Sequence, residues 1–217
     1  MIEAFAEESV RGFLHRPQQP SGDAIALTHG AGSNCQAPLL TAVAEAFSAA
    51  AFTVLRFDLP FRQARPGGPP RPGDAALDRQ GIRAAATVLR RFAAGRIFLG
   101  GHSYGGRQTS MLAAEDPAAA DGLLLLSYPL HPPRRVEQMR TAHFPKLAIP
   151  AVFVHGSRDP FGTLDEMRSA LALIPAPTML VAIEGAGHDL KRAGAAENIV
   201  EHFQAFMYPR YNSVNRP

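Results

Sequence analysis

The 217-residue sequence has a single cysteine, Cys35, so an intrachain disulfide is excluded. Lysine occurs only at 146 and 191, and nearly all of the positive charge is arginine. Apolar runs such as Leu123 to Leu126 are strand-sized and far short of the roughly 20 residues that a membrane-spanning helix needs. The N-terminus is acidic and lacks the basic-then-apolar layout of a secretory signal. These absences together favour a cytoplasmic location and no membrane partner. No group of His, Cys, Asp or Glu has metal-ligand spacing. Gly30-Ala31-Gly32 is not a dinucleotide fingerprint, because Cys35 stands where the third glycine belongs. Neither a metal nor another cofactor is expected. Net charge is +3 and the sequence pI about 9.4, but the arginines are scattered rather than gathered in one tract, so nucleic acid is not an expected partner. Oligomeric state is not legible.

The length suits one α/β domain, and 46% hydrophobic residues can fill its core. Strands are expected at Val10–Leu14 (at a sheet edge), Asp23–Thr28, Phe52–Asp58, Arg96–Leu99, Gly122–Tyr128, Ala151–Val154 and Met179–Ile183. Helices are expected at Leu39–Ala50, Ala75–Ala94, Arg107–Glu115, Leu164–Leu173 and Ala195–Met207. The Pro/Gly/Arg-rich stretch from Pro60 to Gly73 reads as irregular. A helix around Val136 to Thr141 fits the proline-marked connection from Pro129 to Pro150, and the tail from Pro209 reads as frayed. Strands alternating with helices imply a mostly parallel sheet, covered on both faces and without an inserted cap. No internal repeat or linker divides positions 1–217. Ligands in such sheets bind beyond the carboxyl ends of the strands.

One stretch at such an end carries chemistry. Gly101-His102-Ser103-Tyr104-Gly105 fits the G-x-S-x-G pattern of a nucleophile elbow, with an apolar strand before it and a helical pattern after it. The pattern puts Ser103 on a tight turn at positive φ, with glycine at 101 and 105 to avoid collision across the turn. A serine hydroxyl needs a base, and the base needs an orienting carboxylate. Downstream, Asp159 and then His188 fall in loops after successive strands and are the candidates. Asp165, Glu166 and Glu184 are weaker alternatives for the acid. The developing oxyanion needs backbone donors. Tyr104 N–H, next to the nucleophile, is one; the other lies in His29-Gly30-Ala31-Gly32, with Ala31 N–H favoured and Gly32 next. His102, His29 and His155 read as structural, Cys35 as packing, and Asp58 as a loop anchor. Phe61, Leu130, His131 and Phe161 are expected on the rim of a shallow substrate pocket. Arg62, Arg65 and Arg71 fit either a solvated basic loop or a clamp for an anionic substrate.

Leu27-Thr28-His29-Gly30-Ala31-Gly32-Ser33, Leu55 to Pro60, the elbow, Ser127-Tyr128-Pro129-Leu130-His131-Pro132-Pro133, Val154 to Pro160 and Gly187-His188 together resemble the small lidless α/β-hydrolases. The likeness is greatest to the testis-expressed protein 30-like and dienelactone-hydrolase-like group, and spans about Asp23 to Met207. It implies the α/β-hydrolase fold with an eight-stranded sheet, a Ser103–Asp159–His188 triad and no cofactor, but no particular substrate. His102 departs from the basic residue many relatives carry before the nucleophile, and serine replaces the cysteine of dienelactone hydrolases proper. The expected activity is hydrolysis of a small-molecule ester, thioester or amide through an acyl-enzyme. A catalytically silent interaction module and a cofactor-free perhydrolase are the alternatives.

Overall fold

A computed structural model describes residues 1–7 and 9–209. Positions 210–217, which hold most of the tail expected to fray, lie outside the described residues.

Eight strands form one sheet. They are β1 (Ile2–Glu7), β2 (Val10–His15), β3 (Ala24–Thr28), β4 (Thr53–Phe57), β5 (Ile97–His102), β6 (Gly122–Leu126), β7 (Ala151–Gly156) and β8 (Thr178–Ile183), in spatial order β1-β2-β4-β3-β5-β6-β7-β8. The first two pairings, β1 with β2 and β2 with β4, are antiparallel, and all others are parallel. Strands β3, β6 and β7 are apolar but for Thr28 and His155 near their ends, because both faces are covered. On β3, Ala24 and Ala26 join one core while Ile25 and Leu27 join the other. The first face is covered by α3 (Asp74–Arg90), α4 (Tyr104–Glu115) and α5 (Leu164–Leu171), the second by α1 (Pro38–Ala49) and α6 (Ala195–Met207). Under α1 and α6, Phe47, Phe52, Phe98 and Phe203 meet mostly edge to face, with centroids 5.0–6.3 Å apart.

Three sequence expectations are corrected. The edge strand is β1, not Val10–Leu14. It has Glu3 and Glu7 among apolar residues that do not alternate with them, and it buries only Phe5, which meets Phe92 edge-on at 5.9 Å, so no two-residue period marks it. Pro60–Gly73 is not wholly irregular: Pro60–Ala64 forms the short helix α2, begun by proline at its first position. Val136–Thr141 forms turns rather than a helix, and the nearest helical turn is a 3₁₀ segment at Phe144–Lys146.

Candidate active site

The turn between β5 and α4 carries Ser103 at φ 50°, ψ −115°, a strained conformation for a residue with a side chain. Its amide donates to Leu126 O on β6 at 2.8 Å, and its carbonyl accepts from Arg107 N at 2.9 Å. The expected collision across the turn holds at Gly101 and not at Gly105. A Cβ on Gly101 would stand 2.8 Å from Gly105 C and Gly106 N. A Cβ on Gly105 would instead strike His29 O at 2.4 Å and Thr28 Cγ2 at 2.8 Å. Gly105 therefore lets the helix start against the end of β3, where the candidate oxyanion loop begins.

The fold brings Ser103, His188 and Asp159 together. His188 Nε2 lies 2.8 Å from Ser103 Oγ, and His188 Nδ1 lies 2.8 Å from Asp159 Oδ2. With Nδ1–H donating to the carboxylate, Nε2 is left to accept the serine proton; the network assigns this tautomer. Asp159 is 6% exposed, and its Oδ1 accepts Phe161 N–H at 2.9 Å. The acid and base loops are bonded to each other. Arg158 N donates to Ala186 O, Ser157 Oγ donates to Glu184, and Gly185 N donates to Ser157 Oγ at 2.8 Å. Gly156 allows this approach, since a Cβ there would sit 2.4 Å from Ala186 O. Leu190, two residues beyond the base, holds φ 51° and is 1% exposed, so the loop turns to bury it in the core.

His102 donates from Nε2 to His188 O at 2.8 Å, tethering the base loop, and burial depresses its pKa. The alternative acids lie elsewhere in the network. Glu166 takes part in a capping box with Thr163, Glu184 accepts from Ser157, and Asp165 pairs with Arg168.

On the other side of the elbow, neither Ala31 N–H nor Tyr104 N–H has a protein acceptor among the described residues. The Tyr104 amide opens α4, where helical N–H groups lack intrahelical partners. The loop carrying Ala31 is bonded at several points. His29 Nδ1 donates to Gly30 O, and its Nε2 accepts Leu59 N–H at 3.1 Å. Asp58 Oδ1 accepts Cys35 N–H at 2.7 Å. Cys35 is buried, and that burial together with Asp58 pushes its thiol up to about 12, which leaves it protonated and inert.

Arg62, read from sequence as a solvated or substrate-facing cation, is neither. It is 7% exposed and donates to Ser33 O (2.7 Å), Ala31 O (3.0 Å), Gly68 O (3.0 Å) and Arg65 O (3.3 Å). Arg65 pairs with Asp74 at 2.7 Å. Asp78 is a further group that sequence reasoning missed. It is fully buried and accepts Phe61 N–H and the Tyr104 hydroxyl at 3.0 and 2.7 Å. Its position on the inner face of α3 was the available signal.

The expected rim divides. Phe161 is half-buried, and its ring lies 4.3 Å from that of His188. Leu130 is fully buried beneath Gly162 and offers no rim surface. His131, 3% exposed, bonds Pro132 O at 2.8 Å and faces Glu166 at 3.4 Å, so it ties its own segment to α5. Phe61, also 3% exposed, is packed between His29 and Tyr104 and supports the two loops from beneath. An open concave space lies on another side, between α1 and the segment leading into α6. No group of three or more metal-ligating side chains gathers among the described residues, and no helix there is long and apolar enough to cross a membrane.

A doubly covered parallel sheet with a strained serine at the tip of its central elbow defines a class of protein. The family model of the alpha/beta hydrolase domain matches residues 21–206, and the chain belongs to that family. Solved structures agree in fold. A dienelactone hydrolase from Anabaena variabilis superposes with a TM-score of 0.73 at 20% identity, over 94% of this chain and 96% of that one. TT1662 from Thermus thermophilus gives 0.72 at 22% identity, over 97% and 100%. Est1E from Butyrivibrio proteoclasticus with ferulic acid bound gives 0.75 at 16% identity, over 94% and 99%.

Proposed function

We propose that this protein is a serine hydrolase that cleaves a small-molecule ester, and by the same route a thioester or amide, through an acyl-enzyme on Ser103. The observation that carries the reading is the unbroken chain of 2.8 Å contacts from Ser103 Oγ through His188 to Asp159, mounted on a strained elbow. As Ser103 Oγ bonds to the substrate carbonyl carbon, its proton passes to His188 Nε2. Asp159 holds the resulting imidazolium in place. The carbonyl oxygen takes up negative charge between the amides of Ala31 and Tyr104, each donor contributing about 3 kcal/mol to the transition state. The C–O bond to the alcohol then breaks, and His188 returns the proton to the leaving oxygen. Water repeats the two steps and frees the acid and Ser103.

A fluorophosphonate probe tests the nucleophile. The wild-type protein is expected to be labelled and to turn over p-nitrophenyl esters, and Ser103→Ala to do neither. Equal labelling of the two would remove Ser103 from the mechanism. Failure of folded wild-type protein to label or turn over any acyl ester would favour the catalytically silent interaction module.

A further inference from the structure

One short turn carries two of the contacts on His188. Asp159 Oδ2 lies 2.8 Å from His188 Nδ1, and the Phe161 ring stands 4.3 Å from the imidazole. The two are joined to each other as well, since the Phe161 amide donates to Asp159 Oδ1 at 2.9 Å. The placement of the turn from Asp159 to Gly162 therefore decides how the base is held.

A second histidine lies against that turn. His155, near the end of β7, is fully buried, and so is the side chain of Asp159. His155 Nε2 lies 2.7 Å from Gly162 O. A carbonyl can only accept, so Nε2 carries the ring proton. His155 Nδ1 is buried without a partner among the described residues, which agrees with that tautomer. The same Nε2 is 3.9 Å from Asp159 Oδ2, beyond hydrogen-bonding reach. His155 thus grips the turn without competing with His188 for the oxygen that faces the base.

The bond to Gly162 fastens the far end of the turn to the sheet. At the near end, the Asp159 amide donates to Gly156 O at 3.1 Å, and between them Phe161 O accepts from the His131 amide at 3.1 Å. Gly162 is buried, so without the imidazole its carbonyl has to move to find another donor. That movement carries Phe161 and Asp159 with it.

From this we infer that His155 is a positioning residue: by holding Gly162 O, it sets the Asp159 carboxylate and the Phe161 ring against His188. The inference rests on the proposed serine hydrolase reading for its kinetic arm, and has a spectroscopic arm that does not. In the kinetic arm, p-nitrophenyl butyrate is the substrate, and thermal unfolding fixes a temperature at which every variant is folded. His155→Leu offers no donor, and His155→Asn places its amide short of Gly162. Each is expected to lower kcat by about tenfold to 10²-fold with KM within about threefold of wild type. His155→Gln brings an N–H to about the place of Nε2 and is expected to recover kcat to within about threefold. A fall in Tm with unchanged kcat would mark a purely structural residue and overturn the inference. So would a loss expressed mainly in KM, or a Gln variant no better than Leu.

In the spectroscopic arm, proton NMR follows the His188 Nδ1–H, which its bond to a carboxylate moves far downfield. Loss of the signal in Asp159→Asn assigns it. The signal is expected in wild type and His155→Gln, and is expected to move upfield or exchange away in His155→Leu. His155→Asn takes its place if His155→Leu does not fold. An unchanged signal there overturns the inference, as does its absence from folded wild type. Wild type that shows the signal but hydrolyses no ester would remove the serine hydrolase reading, and this arm alone would decide the role of His155.

Discussion

Replacing Arg62 with alanine removes a guanidinium that joins the candidate oxyanion loop to the proline-rich segment beyond α2. Three of its four bonds, to Ser33, Ala31 and Gly68, are 3.0 Å or shorter. A hydrogen bond involving a charged group contributes about 1.5–3 kcal/mol. The three do not add fully, because loop carbonyls regain water once the arginine is gone. The stacking of Arg62 over Phe61, 4.9 Å from the ring centroid, is lost as well. The expected cost is about 2–4 kcal/mol, or a fall in Tm of roughly 5–15 °C for a chain of this size. Ala31 loses the tether on its carbonyl, and if its N–H is the proposed oxyanion donor a displacement of about 1 Å there costs on the order of 10²-fold in rate. Thermal unfolding and kcat on a neutral ester such as p-nitrophenyl butyrate measure both effects. Arg62→Lys can keep one of the four bonds and is expected to recover only part of each. Unchanged Tm together with a loss confined to anionic esters would refute this reasoning and restore Arg62 as a substrate clamp.

Gly105→Ala places a methyl group 2.4 Å from His29 O and is expected to lower kcat on p-nitrophenyl esters by 10²-fold or more with a stability loss of about 1–3 kcal/mol; near-wild-type kcat would show that the β3 end yields freely. Tyr104→Phe leaves the backbone donor in place but removes one of the two groups bonded to buried Asp78, so about 1–3 kcal/mol of stability should be lost by urea unfolding while kcat stays within threefold. Stability should also fall with acid. Burial, helped by Arg56 at His15 and by Arg107 at His143, lowers both folded-state pKa values to about 4 from an unfolded value near 6.5. The unfolded chain therefore binds more protons between these limits. The stability from keeping both rings neutral is complete above pH 6.5 and lost as pH falls towards 4, at up to about 1.4 kcal/mol per pH unit for each. Urea midpoints measured from pH 7 to 4 should follow that slope, His143→Phe should reduce it, and an unchanged slope in that variant would exclude His143 as a source.

What the sequence determined is local or ordinal. The Gly101–Gly105 pattern specifies a strained turn because neighbouring residues meet sterically within a few positions. The order Ser103, Asp159, His188, each in a loop after a strand, needs only the periodicity of the chain. Apolar runs such as Leu123–Leu126 announce a sheet covered on both faces for the same reason. What only tertiary structure decided is which polar groups meet and where space is left. Arg62 and Asp78 are polar residues in an arginine-rich loop and on an amphipathic helix, and their burial depends on carbonyls and hydroxyls up to 31 residues away. Leu130 and His131 follow β6 near the site in sequence, yet the chain folds them inward under Gly162 and α5. The concave space beside α1 is lined by alanines on two helices that no short-range pattern connects. A cavity is defined by the absence of atoms between distant elements, and that is fixed only when those elements pack.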